Sequence, residues 1–245
     1  MTHHIAEPTY SGDITGGIAR FDERDTVFAR GDLFDRYGEG SPEFEEYYKR
    51  HPEKRAYDAR VHDMPGIGRN GGFDEPMFQL QFDMATQIGA ESFVDGEPAA
   101  QRAEMSPERA AQKVKAMARL FGADLVGLGP LRQEWVHSHV GRSRGEGYAA
   151  WGTPVDLSHH TNAVAIGTRM PIELVKTSPN FPSLLATARG YALGAFVAVQ
   201  LADYIRRLGY SARAHHMANY RVLVVPVAVD CGLGELSRAG FLLTK

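Results

Sequence analysis

The chain has 245 residues, 43% of them hydrophobic and 23% charged, with a formal net charge of −3. That is the composition of a folded globular protein with one sizeable core, and the slight acidity argues against a general nucleic-acid binder, which carries a basic face. The single cysteine, Cys231, excludes an intrachain disulfide and any cluster or zinc site that needs several thiolates from one chain.

The opening run Met1-Thr2-His3-His4-Ile5-Ala6-Glu7-Pro8 has neither a basic stretch leading into an apolar run nor a twin-arginine pattern. No uninterrupted apolar stretch reaches the roughly 20 residues of a membrane span. The expectation is a cytoplasmic protein with no membrane span. Residues 1–75 are polar and punctuated by Gly16-Gly17, Gly38, Gly40, Gly66, Gly68 and Gly71-Gly72, and they read as an irregular arm wrapped on one compact unit at 76–245. Within the arm, Ser41-Pro42-Glu43 supplies a capping hydroxyl, a first-turn proline and an acid near the positive end of the dipole. The helix it opens, Glu43–Arg50, stops before Pro52.

Residues 76–89 form a second helix, with Met77, Phe78, Leu80, Phe82, Met84, Ala85 and Ile88 as its buried face. Ser106-Pro107-Glu108 caps a third. Its apolar positions Ala110, Val114, Met117, Ala118 and Phe121 recur at helical spacing up to Gly122. A buried strand, Ala123–Leu128, follows, and Thr161–Thr168 reads as another. The longest helix spans 183–208, with Leu184, Leu185, Ala188, Tyr191, Ala192, Ala195, Val199, Ala202 and Ile205 on one broad face and Gly209 as its stop. Ser211–His216 reads as a third strand. The run 222–231 suits a buried strand or a buried helix equally, although Pro226 favours a first helical turn. Gly232 and Gly234 make a turn, and Gly240-Phe241-Leu242-Leu243-Thr244 a last strand. The elements predict an α+β fold, a mixed central sheet flanked by helices.

The histidines His159-His160, His215-His216 and His137-x-His139 invite a metal. Adjacent strand residues face opposite ways, however, and no three-ligand pattern supports a site, so none is expected. Trp135, Tyr148, Trp151 and Phe181 suit either a ligand pocket or ordinary packing.

Several stretches carry a resemblance. Phe21-Asp22-Glu23-Arg24-Asp25-Thr26-Val27-Phe28-Ala29-Arg30 and Tyr47-Tyr48-Lys49-Arg50-His51-Pro52-Glu53 resemble the opening of the reductive dehalogenase catalytic region. Lys115–Leu128 looks like that family's entry into its cobalamin domain, and Trp135-Val136-His137-Ser138 falls where a Trp-Val-Tyr-Ser type segment is expected. Gly232-Leu233-Gly234-Glu235-Leu236-Ser237-Arg238-Ala239-Gly240 is similar to the family's Gly-Leu-Gly-Glu-Leu-Gly-Arg-Asn-Gly run, with Ser237 for Gly and Ala239 for Asn. A related form occurs in epoxyqueuosine reductases.

The resemblance implies a nitroreductase-like cobalamin-binding sandwich and reductive removal of halide from a small halogenated organic substrate. It implies base-off cobalamin without a protein axial ligand. The family's two iron–sulfur clusters and its active-site arginine would lie beyond Leu243-Thr244, so this chain carries no cluster, and an iron–sulfur or flavin partner would supply electrons. By the same resemblance Tyr191 is the proton donor and Asn219 its amide partner, while Gly232, Gly234, Arg238, His216 and Tyr220 meet the cofactor. Read without it, Tyr191 suits the rim of a core, Asn219 a turn, and Arg238 a helical-spacing pair with Glu235. A corrinoid carrier or a degenerate domain on the same fold is the rival expectation, and a homo-oligomer is compatible with either.

Overall fold

In the computed structural model, residues 8, 10–64 and 72–244 are described; Gly66, Gly68 and Gly71 lie outside them. The arm is not irregular. Residues 23–63 fold into a helical cluster: α1 (Val27–Asp32) runs into a π turn at 33–37, followed by α2 (Pro42–Arg50) and α3 (Pro52–Asp63). The Ser41 hydroxyl accepts from the Phe44 amide at 3.2 Å, as the capping sequence predicts. Pro52, which ends one helix, sits at the first turn of the next, where its missing N–H costs nothing. Leu33, Phe44, Tyr47 and Tyr48 give this cluster a core of its own. Such a core is invisible to periodicity because its residues come from one short helix and the turn before it.

After α4 (Pro76–Gln87) and α5 (Glu91–Val94), α6 (Pro107–Leu120) leads through Gly122, at φ +113°, into β1 (Leu125–Pro130). β2 (Asn162–Gly167) pairs antiparallel with it. α7 (Ile172–Val175) precedes α8 (Phe181–Arg207), the longest helix, and α9 (Val224–Asp230) resolves the ambiguous run as helix. A hairpin of β3 (Gly234–Leu236) and β4 (Leu242–Thr244) follows. The fold is rich in helix, with two small two-stranded antiparallel sheets.

Two expectations need correction. The mixed central sheet does not form, because Ser211–His216 is extended yet has no strand beside it; its one bridge is local, His216 with Asn219. An extended segment becomes a strand only when a neighbour takes its main-chain groups. On α4, Phe78 and Ala85 are buried but Met77, Leu80 and Met84 are exposed. A helix laid against one neighbour buries a single stripe, here the one facing α8, so the predicted arc was too wide.

By length and composition α8 matches a membrane-crossing helix. Here it serves as the central rod, packed by α4, α6, α7 and β2. The main apolar cluster, around Trp135, Val136, Val140, Val222 and Val227, lies on the far side of the β1–β2 hairpin near α9. α9 sits so close to β1 that a Cβ on Gly127 would lie 2.2 Å from the Cys231 carbonyl oxygen, and one on Gly129 would lie 2.5 Å from that of Asp230.

Two glycine substitutions should therefore shift stability in opposite directions. Gly127→Ala must push α9 off β1 and is expected to cost about 1–3 kcal/mol by overpacking. Gly194→Ala adds a methyl where nothing lies within 4 Å and removes a helix-interior glycine, so it should gain roughly 0.5–1 kcal/mol. Urea unfolding of the two variants checks both signs.

Candidate functional site

Where α5, the 137–144 loop and residues 213–221 meet, the fold buries a network of charges. The Glu23 carboxylate is fully buried and accepts from the Gly141 amide at 2.8 Å. Arg221 stands between two acids, 3.7 Å from Glu23 and 3.1 Å from Glu91. Arg213 pairs with Glu91 at 2.8 Å. Arg142 reaches Asp32 at 3.4 Å, donates to the Met217 carbonyl at 3.0 Å and lies over the Phe28 ring.

Burial dominates the protonation of Glu23, raising its carboxyl pKa against the pull of the Gly141 amide and of Arg221 and Arg142. Burial also works against a charged Glu91, but Arg213, Asn219 and Arg221 outweigh it and hold that carboxyl below its ordinary value. The Arg221 guanidinium is pushed down by burial and by the neighbouring Arg213.

Asn219 is at the heart of this network. Its Nδ2 donates to the Gly89 carbonyl at 2.8 Å and to Glu91 at 2.9 Å, and its Oδ1 accepts from Arg213 at 2.7 Å. Every strong bonding position of the amide is thus taken within the protein. His216 is buried next to it: the Ala218 amide donates to its Nδ1 at 3.4 Å while Nε2 faces the Ile88 carbonyl at 3.3 Å, the pattern of a neutral ring.

Tyr220, the next residue along, packs edge-on to His137 with centroids 5.8 Å apart. Burial raises its phenol pKa while the adjacent Arg142 lowers it. Tyr191 projects from α8 with its ring 40% exposed, its edge on Phe82 at 5.8 Å. The exposed rings of Phe28 and Phe21 belong to the same region, Phe28 beneath Arg142 and Phe21 at 6.3 Å from His137.

The structure brings Asn219 and His216 together in one network with Tyr220 next to them in the chain, while Tyr191 stands on α8 against Phe82. Gly232, Gly234 and Arg238 belong instead to the β3–β4 hairpin under α9. Gly232, at φ +76°, has open space where a Cβ would stand; Gly234 is crowded by the chain's own Leu243 carbonyl, 2.0 Å from such a Cβ. Arg238 is exposed. Sequence reasoning missed Glu91, Arg142, Arg213 and Arg221. They are spread over 130 residues, and no spacing rule links acids and arginines that meet only in the fold.

A second feature is a cavity of about 330 Å³ between β2, α8, α9 and residues 211–215. Leu201, Ile205, Val224 and Val227 make it largely apolar; Arg213 and His215 close its polar end, next to the network. Among the described residues no cluster of three or more His, Cys, Asp or Glu could hold a metal ion.

No protein-family model matches the chain. It is 30% identical over 171 residues to the tetrachloroethene reductive dehalogenases of Dehalobacter restrictus and Desulfitobacterium hafniense, matching 57% of this chain and 31% of each relative. With that of Sulfurospirillum multivorans it shares 28% identity over 153 residues, 54% of this chain and 30% of the relative. Among solved structures, the catabolic reductive dehalogenase NpRdhA superposes on 93% of this chain and 29% of its own, with TM-score 0.67 and 23% identity. Its form in complex with 3-bromo-4-hydroxybenzoic acid gives TM-score 0.62 and 25% identity. Over the matched stretch, the chain is homologous to the reductive dehalogenases. It spans about a third of the length of these curated relatives.

His137 generates a prediction about acid sensitivity. It is buried, neither ring nitrogen has a hydrogen-bond partner, and burial together with Arg221 lowers its pKa to about 4. The unfolded ring, near pKa 6.5, binds a proton first, so stability falls as pH drops from 6.5 towards 4, by about 3 kcal/mol for this one group. His216, also lowered to about 4 by burial, adds a loss in the same window. His137→Leu should be within about 1 kcal/mol of the parent at pH 7.5, because no bond is lost. It should lose clearly less than the parent by pH 4.5. Equal losses in urea melts at the two pH values would remove His137 as the cause.

Proposed function

We propose that the chain is the cobalamin-binding part of a reductive dehalogenase-type oxidoreductase, with Tyr191 as the proton donor to the carbon that loses halide. The observation that carries this reading is the placement of Tyr191. Its partly exposed phenol projects from the long helix α8 against Phe82, in a chain homologous to enzymes named for dehalogenation. The substrate is a small organohalide. Electrons come from an iron–sulfur or flavin group outside these 245 residues, because one cysteine cannot ligate a cluster by itself.

The residues present fit a base-off corrinoid. Such a cofactor would need no protein ligand to cobalt. A corrin ring exceeds the 330 Å³ cavity, which has the volume of a small ligand, so the ring would lie on the open face beside Tyr191. Gly232 leaves room for backbone approach, and exposed Arg238 is free to meet a phosphate.

Bound cobalamin supplies the reducing cobalt centre at which the carbon–halogen bond is broken. The protein's part is to hold the proton. Tyr191 presents its O–H from α8, its ring steadied by Phe82. Asn219, with its amide fully engaged, acts as a positioning residue: it fixes the 216–220 turn that carries Tyr220.

Ultraviolet–visible titration with hydroxocobalamin under reducing conditions should show a saturable base-off shift; none, from folded protein, would overturn the cofactor reading. Tyr191→Phe keeps the ring and removes the proton, so cobalamin binding should be unchanged. Single-turnover halide release with pre-reduced cofactor should slow by roughly 100- to 10,000-fold. Release at the parent rate would make Tyr191 a packing residue.

A further inference from the structure

The resemblance makes Asn219 the amide partner of the Tyr191 phenol. In the structure that amide is taken by Gly89, Glu91 and Arg213, so it is not free to orient the tyrosine. The ring of Tyr191 is met instead from α4. Phe82 stands against it with centroids 5.8 Å apart and planes at 68°, an edge-to-face pair.

Phe82 is itself held in place. It stacks on Phe78, one turn earlier on α4, at 4.5 Å and 27°. Phe78 is buried, and its ring lies 5.2 Å from that of Phe73. Small side chains set the spacing of the two helices one turn further along. Ala85 and Ala195 are both fully buried and belong to the same apolar cluster as Phe82. Ala85 follows Phe82 by three residues on α4, and Ala195 follows Tyr191 by four on α8, so each pair shares a helix face. Methyl groups at that level let the helices approach closely, and the approach brings the Phe82 edge onto Tyr191.

The Tyr191 ring is 40% exposed, and a tyrosine at the rim of a helix has more than one staggered rotamer open to it. A change of well at χ1 swings the phenol oxygen by several ångströms, far enough to take it out of reach of a reacting carbon. We propose that Phe82 is the positioning residue of Tyr191: its edge contact selects one rotamer of the tyrosine and so fixes where the O–H stands. The chemical consequence rests on the reading of Tyr191 as proton donor; the contact itself does not.

Phe82→Leu keeps an apolar side chain of similar bulk, and with it the fold, but takes away the flat ring. In protein made with ring-labelled tyrosine, the Tyr191 resonances are assigned by their loss in Tyr191→Phe. They should lie displaced by the aromatic neighbour in the parent, move towards free-tyrosine positions in Phe82→Leu, and return in Phe82→Tyr, which restores a ring. Resonances that stay in place in Phe82→Leu overturn the contact. Single-turnover halide release with pre-reduced cobalamin reads the consequence. Phe82→Leu should slow it by roughly tenfold or more with cobalamin affinity unchanged, and Phe82→Tyr should recover most of that rate. In the Tyr191→Phe background Phe82→Leu should add nothing, because the group it positions is already gone. A parent rate in Phe82→Leu, or a full further loss in the Tyr191→Phe background, overturns the positioning role. If Tyr191→Phe alone releases halide at the parent rate, the donor reading fails and the positioning role with it, while the resonance shifts still report whether the contact holds.

Discussion

One guanidinium holds together segments that are otherwise far apart in the chain. Arg221 sits between Glu23 and Glu91, and the same two acids anchor the Gly141 amide, Arg213 and Asn219. Burying these charges costs several kcal/mol each in desolvation, and their mutual attraction offsets that only when all partners are present. The network therefore works less as a source of stability than as a requirement of geometry. The N-terminal helical cluster, α5, the 137–144 loop and the 213–221 segment reach it together or leave a charge unpaired, which costs about 3–5 kcal/mol.

The chemistry of the site follows from that requirement. Asn219 is locked by three partners, and so the turn that ends in Tyr220 has one position relative to α8. Tyr191 projects from α8, a separate rigid element. The histidines serve the same end: His137 and His216, buried and held below the ordinary imidazole pKa, fill space beside arginines without opposing the cations. The cost appears in acid, where the unfolded rings take up protons that the folded ones resist.

The extended segment 211–216 is the other side of the same architecture. Strand pairing needs a complement across 4.7–4.9 Å, and a segment with the right composition but no neighbour stays an extended loop. Ser211–His216 illustrates this: its residues suit a strand, and its environment within a single chain does not supply the ladder.

Local physics was legible in the sequence. Ser41-Pro42 and Ser106-Pro107 mark helix starts, Gly122 and Gly209 mark stops, and Pro226 tips 222–231 towards helix; all of these act within four or five residues, the range over which a cap or a ring constraint works. The family likeness was legible as well, because short motifs such as Gly232–Gly240 persist as strings. What only the tertiary structure decided was which stripe of α4 is buried, whether 211–216 finds a partner, and that Glu23, Glu91, Arg142, Arg213, Asn219 and Arg221 converge. These depend on contacts between residues as far apart in sequence as Glu23 and Arg221. A charge pattern along the chain carries no record of which opposite charge it will meet in three dimensions, and that meeting is set by how α8 and the β1–β2 hairpin bring their neighbours together.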